Sequence, residues 1–466
     1  MGMRRPQIII NEKTLSSFVA PTGDRVAVML GSANWGPIST LTNVSALSDF
    51  VSKFGDERST TGLTLIKGAD LFFRNGGTLK VIRLDDGDAA KSDFMAVSGV
   101  TDMINFEGYY KGTYGDLISL TIATIGSNRS LVVSDGSISE IYDNSGLGYS
   151  TNALLAVAVN TGSTLVTAAV ESGQEATLVA DLTKTYLTGG DDGENNLDTA
   201  DFTTAFDNLL LNEEFNYMLC PGQTDNAFDV AMVARLVSRA ASEEIYARYL
   251  GGIAVDETIT TLAARTGAGK RFSRLSPSVS YENRYSGDSS VIDGSYLAAA
   301  YCGKLCTLDY GESMTNKTIN IDDLSILEST GTKYYTKTQQ EQVLQTSTIP
   351  IANINGSIRA VRAITTLGDE SSLYFEEIIV DMSDFIRSEL KAYFDGFLGE
   401  PNTAENRSLI AAGTDSKLIS YRNLGYITEY TNTSVIAGSS SDSMIATVGY
   451  KPVRATNFIY TNINIS

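Results

Sequence analysis

Two glycine-rich loops come nearest in this sequence to a nucleotide-binding motif. GSANWGPIS (31–39) follows an apolar run and has the G-x-x-x-x-G spacing of a phosphate loop, but Pro37 and Ile38 replace the Lys and Ser/Thr that hold phosphate and Mg²⁺. TGAGKR (266–271) contains Gly-Lys, but Arg271 stands where the hydroxyl residue belongs. Both loops are therefore interpreted as glycine-bounded turns.

Two acidic turns and one Ser-Lys pair are the other candidates for chemistry. DDGD (85–88) and DDGENNLD (191–198) carry carboxylates, but neither has the ligand spacing and distal Glu of a calcium loop. Ser388 and Lys391 match S-x-x-K, in which a lysine activates a serine, but the companion S-D-N and K-T-G elements are missing. The sequence therefore predicts solvated turns and a chance match.

The amino-acid composition excludes most common enzyme mechanisms. Histidine is absent, which removes Ser-His-Asp and Cys-His catalysis and His-ligated metals. Cys220, Cys302 and Cys306 are odd in number and are predicted to be buried free thiols, and Trp35 is predicted to be a core or interface residue. We predict no catalytic, metal or cofactor site, with an Asp/Glu- or Lys-based enzyme as the last of three hypotheses.

Length and charge indicate a multidomain globular protein that binds other proteins. The 466 residues, 42% of them hydrophobic, exceed what one core usually supports. A net charge of −20 disfavours nucleic acid and anionic membranes as partners. No segment has the length of a signal-peptide core or a membrane span, so we expect a protein made in a cytoplasm that does not insert into membranes.

Hydrophobic periodicity predicts an α/β and α+β multidomain fold. The stretch 24–36 is predicted to be a buried strand, with its apolar run at Val26–Leu30, that enters a loop; two helices (45–55 and 63–77) and a strand (78–84) follow and begin an α/β core. The core resumes beyond a β-rich stretch without helical periodicity and then passes through a loop-rich stretch (256–345). Near the C-terminus, strands at 355–367 and 376–381 are predicted around a helix at 381–399. The predicted organisation is an extended N-terminal arm (1–20), a discontinuous α/β core (21–85 and 188–345), a β-rich insertion (86–187), an α+β C-terminal domain (346–454) and a C-terminal strand (455–466).

Both ends of the chain are predicted to be strands without a pairing strand nearby in the sequence. The closing stretch ATNFIYTNINIS alternates β-branched and polar residues at a period of two, and the N-terminal stretch contains a short β-branched run. The residues predicted to pair with another sheet are Gln7, Ile8, Ile9, Ile10, Phe458, Ile459, Tyr460, Thr461, Ile463 and Ile465.

Four stretches, in this order and spacing, resemble the contractile tail sheath proteins of tailed bacteriophages and related contractile injection systems. They are GSANWGPISTLTNVSALSDFVSKFG, LFFRNGGTLKVIRL, LTGGDDG followed by DFTTAFDNLL and CPGQTD, and the C-terminal region from IRAVRAITTL to GYKPVRATNFIYTNINI. Within the insertion only GTYGDLISL resembles the family.

The resemblance implies a structural subunit that forms stacked six-fold rings around an inner tail tube and contracts to drive the tube through a cell envelope. Implied partners are other copies of the chain, the tube protein, and baseplate and tail terminator proteins, in a virion tail assembled in the host bacterial cytoplasm. It further implies that the terminal strands are exchanged between subunits, that the insertion faces outward and that the C-terminal domain lies near the tube. Arg387 and Lys391, one turn apart on the predicted helix, are candidate contacts to the tube or a neighbour, and a solvated helix face is the alternative. The second hypothesis is a non-contractile tubular or surface-layer protein.

Overall fold

The computed structural model describes residues 16–17, 25–58, 62–284 and 287–457. The predicted helix–helix–strand order of the first part is confirmed. Its elements are β1 (Ser16–Ser17), β2 (Val26–Gly31), β3 (Thr42–Val44), α1 (Leu47–Phe54), α2 (Leu65–Phe73) and β4 (Thr78–Arg83).

The segment that follows forms two antiparallel sheets with a separate hydrophobic core. The sheets have the strand orders β10-β6-β5 and β11-β7-β8-β9. The elements are β5 (Asp93–Ser98), β6 (Thr101–Gly108), β7 (Ser119–Ile125), β8 (Asn128–Ser134), β9 (Ser139–Tyr142), α3 (Asn152–Gly162), β10 (Val166–Val170) and β11 (Leu182–Tyr186). The expectation that this stretch lacks helical structure is wrong at α3. Its valines suggest a strand, but the Thr151 side chain caps the first turn by accepting from the Leu154 amide.

The third part returns to the central sheet. After α4 (Thr199–Ala205) the helix continues as one π-helical turn (Phe206–Leu210). The further elements are β12 (Tyr217–Leu219), α5 (Asn226–Ser242), β13 (Arg248–Gly252), α6 (Ile259–Ala263), β14 (Phe272–Ser276), β15 (Ser278–Glu282), β16 (Ser289–Ile292), α7 (Gly294–Cys306), β17 (Asp323–Ser325), α8 (Lys337–Gln345), β18 (Thr348–Ile354) and β19 (Ser357–Ala360). The stretch predicted to be loop-rich therefore contains α7, which is almost wholly buried because its Ala, Leu and Tyr side chains fill the core on every side.

The central sheet has the order β19-β18-β14-β13-β12-β2-β4-β3, parallel throughout except for the two edge strands. Since Tyr217 of β12 pairs with Ala27 of β2, the segments before and after the insertion share one sheet, as predicted. Each face has its own core: α1, α2 and α7 cover one face, and α4 and α5 cover the other. Successive side chains of β2 pack into the two cores in turn: Met29 lies on one face of the sheet and Val28 on the other. This is expected of a parallel sheet that is covered on both faces.

The C-terminal part packs two helices against a long hairpin. Its elements are α9 (Glu377–Asp395), α10 (Ala404–Asn423), β20 (Ile427–Ala437) and β21 (Met444–Pro452). The strand predicted at 376–381 is wrong, because these residues form the first turns of α9. The α/β and α+β multidomain fold class is confirmed. Within the described ranges, no helix is long and apolar enough to cross a membrane.

Candidate functional site

The glycine loop after β2 is packed against protein rather than open to a ligand. Gly36 has a φ of +92°, and a Cβ there would lie 2.2 Å from the Lys53 carbonyl oxygen. Trp35 is 4% exposed, and its ring centroid lies 5.4 Å from that of Tyr110 and 5.5 Å from that of Tyr114. The predicted glycine-bounded turn and core tryptophan are confirmed, and the loop joins the central domain to the inserted one.

The fold brings the two acidic turns together at that same junction. The Asp86 amide donates to the Gly193 carbonyl over 2.9 Å, and the Asp192 carboxylate accepts from the amide (2.7 Å) and hydroxyl (2.8 Å) of Thr113. Buried Arg83 donates to the carbonyl of Lys111 over 2.7 Å. Burial lowers the pKa of Arg83 to about 10. Among the described residues no group of three or more acidic or thiol side chains is placed to hold a metal ion.

The remaining sequence candidates also bond within the chain. The Ser388 hydroxyl donates to the Asp384 carbonyl over 3.2 Å, whereas Lys391 Nζ reaches the Glu243 carbonyl at 3.1 Å, so the S-x-x-K pair does not act together. The three cysteines are free. Cys220 and Cys302 are buried, and burial raises the pKa of both thiols.

A buried ionic network joins the C-terminal domain to the central sheet. Arg248 on β13 is 1% exposed, and its Nε lies 2.5 Å from Asp381 Oδ1 and its Nη1 3.1 Å from Glu377 Oε1 on α9. The hydroxyls of Tyr217 and Tyr301 donate to Asp381 and Glu377. Burial alone would lower the pKa of Arg248, but the two carboxylates raise it well above its ordinary value. Sequence reasoning missed this network because it assigned its carboxylates to a strand, although their spacing of four residues is helical.

A second ion pair extends the network along α9. Arg271 of the TGAGKR loop donates to both oxygens of Asp384, at 2.7 and 3.0 Å. The next turn carries Arg387, whose guanidinium lies 5.2 Å from the centre of the Tyr246 ring and whose pKa is lowered by burial. This face of α9 therefore points into the molecule.

The two α9 residues predicted to contact a tube or neighbour differ in exposure. The Arg387 side chain is 9% exposed and lies 3.4 Å from Asp384, so the arginine supports the helix from within. Lys391 is 28% exposed, and its Nζ lies 3.2 Å from Glu244. Lys391 thus has the larger surface to offer a partner.

The C-terminal hairpin forms a small sheet of order β1-β21-β20 that projects from α9 and α10. Only one face of it packs on the helices, where the Thr433 amide donates to Asp415 of α10 over 2.7 Å. Towards the tip Ile436 and Ile445 pair across the hairpin and are 56% and 50% exposed. No described strand pairs with the outer edge of β20, and β1 covers only two residues of β21. Unpaired edges beside exposed isoleucines are typical of a surface that takes up a further strand.

The predicted exchange residues at the two termini lie outside the described residues. The described chain ends at Asn457, whose Nδ2 donates to Glu376 over 3.1 Å. Of the N-terminal arm the structure describes β1, which pairs with β21 of its own chain. Strand exchange by Gln7–Ile10 and Phe458–Ile465 therefore stays a prediction.

Comparison with known proteins identifies the fold. Residues 369–466 match the family model of the phage tail sheath C-terminal domain. A sheath tail protein from Desulfitobacterium hafniense has a similar structure, with a TM-score of 0.68 and 15% identity over 96% of this chain and 100% of that one. The contracted helical sheath of the anti-feeding prophage aligns with a TM-score of 0.55 and 13% identity over 99% of both chains. The resemblance to contractile sheath proteins is confirmed, and the chain has their fold.

A curated relative is matched in sequence over a shorter stretch. The tail sheath protein of Vibrio phage KVP40 is 27% identical over 132 residues. That stretch is 27% of this chain and 18% of the phage protein. The chain thus spans less than a fifth of the length of this curated relative.

Proposed function

We propose that this chain is a structural subunit of a contractile tail sheath. It polymerises as stacked six-fold rings around an inner tube and contracts to drive the tube through the envelope of a target cell. The observation that carries this proposal is the match of nearly the whole chain, 96%, to a sheath tail protein, with its C-terminal domain matched independently by the sheath family model.

Subunits are linked by strands rather than by rigid faces alone. A strand from a neighbouring copy adds to the open edge of β20, and main-chain hydrogen bonds supply the affinity. Because the donor and acceptor surfaces differ, the contact is head-to-tail. Such contacts form a ring where the rotation between subunits closes and a helix where it does not. The donated segments are those predicted from the sequence, Gln7–Ile10 and Phe458–Ile465.

The domains take the positions that this assembly requires. The insertion of 86–187 faces outward, and the C-terminal domain of 346–454 lies nearest the tube. Lys391, exposed beside Glu244, is the residue of α9 that contacts the tube or a neighbour, and Arg387 holds the helix in place behind it. The further partners are the tube protein and the baseplate and terminator proteins at the two ends, in a virion tail assembled in the bacterial cytoplasm.

The first test is negative-stain electron microscopy of the full-length protein beside a version that ends at Ala455, each alone and with the tube protein. We expect tubes from the full-length chain and separate subunits from the shortened one. Identical tubes from both would show that the closing strand is not exchanged. Tubes that never change length around an assembled tail would favour a static tubular protein over a sheath.

A point substitution tests the hairpin without removing a segment. Ile436→Lys places a charge at the exposed tip of the acceptor hairpin and should raise the concentration needed for assembly at least tenfold without lowering the melting temperature. Val100→Lys is the matched control, because Val100 is fully exposed on the β5–β6 turn of the insertion. Equal effects of the two substitutions would contradict a specific role of the hairpin.

A further inference from the structure

The solvent-facing side of α5 is apolar along the length of the helix. Of the three charged residues of α5, Asp229 and Arg239 are buried, and Arg235 pairs with Asp207 over 3.0 Å. The exposed residues recur at alternating spacings of three and four, which places them in one stripe along the helix. The members of this α5 stripe are Ala227, Val230, Ala234, Val237 and Ala241, of which the two valines are 43% and 51% exposed.

The opposite side of α5 is apolar as well. It packs on the central sheet through Phe228, Met232 and Leu236. A helix that is apolar on both sides is normally buried on both sides, because either side gains free energy when it leaves water. The α5 stripe therefore has the composition of a surface that another apolar surface covers.

The exposed side of α10 carries a second stripe with the same spacing. Its members are Leu409, Ala412, Ser416, Ile419 and Asn423, of which the leucine and the isoleucine are 55% and 40% exposed. The exposed charges of α10, Glu405 and Arg422, lie towards the two ends of the helix. Leu418 and Tyr421, on its opposite side, belong to the hydrophobic core of the C-terminal domain.

The two stripes match in length and in the order of large and small side chains. Each runs over fifteen residues, or about 21 Å at a rise of about 1.5 Å per residue. Spacings of three and four allow two helices to pack side by side, with the large residues of one set between those of the other. When the stripes overlap fully, a valine of α5 faces Ala412 and the central pair is Ala234 with Ser416. This holds for parallel and antiparallel helices alike, because the α5 stripe reads the same in both directions.

The matching stripe lies on the same chain, but it is not available within one subunit. α5 belongs to the core on one face of the central sheet, whereas α10 belongs to the separate C-terminal core. Both stripes are exposed, so within the described ranges neither covers the other. Two copies could pair α5 with α5, but such a two-fold contact closes on itself, whereas pairing of α5 with α10 is head-to-tail and leaves a free stripe at each end of the row.

From these observations we infer that the α5 stripe of one subunit packs against the α10 stripe of a neighbouring copy. The inference rests on the proposed sheath function, to which it adds a helix–helix contact on surfaces separate from the terminal strands. A strip of about 21 by 10 Å on each helix buries roughly 400 Å² in total, well below the roughly 1,200 Å² of a stable interface. Free subunits therefore do not dimerise through this contact, which forms where other contacts already hold neighbours together.

Opposite charges at the centres of the two stripes test this pairing. Ala234→Glu and Ser416→Lys each place a charge against an apolar stripe and should raise the subunit concentration needed for assembly by about tenfold or more. In the double variant the two charges face each other at every contact, so this concentration should return to within about threefold of the wild-type value. Both positions are exposed in the free subunit, so the melting temperatures should not change. Val157→Glu, at a 63% exposed position of α3, is the matched control and should assemble as the wild type does.

Disulfide formation between two different variants gives a second, independent readout. Ala234→Cys and Ser416→Cys are each prepared with Cys306→Ser, because Cys306 is the least buried native thiol. The two are mixed, assembled with the tube protein and oxidised. Facing positions of packed helices lie within the range that a disulfide spans, so we expect a covalent dimer that contains one copy of each variant. Either variant assembled alone is the control and should stay monomeric on a non-reducing gel.

The outcomes separate the inference from the function on which it rests. Unimpaired assembly of both single charge variants, or a double variant no better than either single one, overturns the inference and leaves the sheath function standing. Loss of assembly without recovery in the double variant would mean that the stripes face other surfaces, such as the tube protein. A covalent dimer of Ala234→Cys alone would show an α5–α5 contact instead. Failure of the wild type to assemble, alone and with the tube protein, overturns the proposed function as well, and the cross-link decides the question if a charge variant does not fold.

Discussion

At the scale of single residues, a buried ionic network joins α9 to the central sheet. Arg248 lies within the protein between Asp381 and Glu377 and is also 2.9 Å from the Ser273 hydroxyl. A buried ion pair adds little net stability over an apolar pair, but removal of one partner leaves a charge without compensation. The network therefore fixes how α9 sits on the sheet more than it strengthens the fold.

Replacing Asp381 by Asn tests that role. The amide cannot supply the charge that Arg248 requires, so we expect thermal unfolding at a clearly lower temperature, equivalent to about 3 kcal/mol of unfolding free energy. Glu429→Gln is the control, since Glu429 pairs with Lys451 on the surface and its loss should cost less than about 1 kcal/mol. Calorimetry of both variants measures the difference. A similar small effect for the two would mean that α9 is held by apolar packing alone.

The buried carboxylate of Asp229 predicts that the stability of the fold depends on pH. Asp229 on α5 is fully buried, with Arg274 and Arg265 at 3.5 and 3.7 Å, and burial raises its pKa from 3.8 to about 7. The folded protein binds the Asp229 proton more tightly than the unfolded chain does. The contribution of this protonation to the free energy of unfolding is therefore fully present below about pH 4, and it is lost as the pH rises from about 4 to 7.

Asp229→Asn should remove this dependence, since the amide is uncharged at every pH. Urea unfolding between pH 4 and 8 should show the wild type losing up to roughly 4 kcal/mol relative to the variant as the pH rises. Because other groups titrate in both proteins alike, the quantity to follow is the difference between the two curves. A difference that stays constant over this range would mean that Asp229 is ionised throughout.

At the scale of elements, local sequence predicted what local forces determine. A compact apolar run that stops at a glycine predicts the strand β2. Apolar residues at three- and four-residue spacing, again ending in glycine, predict the helices α1 and α2. The β-branched residues Ile378, Ile379 and Val380 predict a strand at the start of α9. In the structure these residues are helical, and the flanking carboxylates both pair with Arg248, more than a hundred positions away in the sequence. α7 was hidden in the same way, because a helix that is apolar on all sides has no periodic pattern to detect.

In the candidate site, too, local features were predictable from the sequence and contacts between distant residues were not. The sequence predicted strands at both ends that lack partners, because alternation at a period of two is a local property. It could not predict that β1 lies on β21, since that pairing joins residues more than four hundred positions apart. The ionic network was likewise invisible, because its members come from separate parts of the chain.

The inserted domain has a hydrophobic core of its own. Its entry and exit run side by side, with the Asp93 and Thr188 amides donating to each other's carbonyls at 2.9 and 3.1 Å. Replacing residues 94–187 by a three-glycine turn, with Trp35→Ser to avoid an exposed indole, should leave a protein that unfolds cooperatively and still forms tubes. Trp35→Ser in the full chain is the control and should destabilise the insertion. Soluble but non-assembling protein would place an assembly contact in the insertion.

At the scale of the whole molecule, net charge opposes the assembly proposed for this chain. Each subunit carries a net charge of −20, so copies brought together in a ring repel one another. In the proposed assembly, the attraction that overcomes this repulsion comes from main-chain pairing and apolar contact, which salt does not screen. Repulsion between exposed charges is screened, because the Debye length falls from about 10 Å at 0.1 M salt to about 3 Å at 1 M.

We therefore expect the critical concentration for tube formation by the protein alone to fall when NaCl is raised from about 0.05 to 0.5 M, over which the Debye length shrinks about threefold. Sedimentation of assembled protein at each concentration measures it. Trehalose at matched osmolality is the control, because it favours compact states by exclusion from the surface without screening charge. A critical concentration that instead rises with salt would mean that ion pairs between subunits drive assembly, so that the acidic surface has a basic counterpart on the neighbouring copy and strand exchange only reinforces that contact.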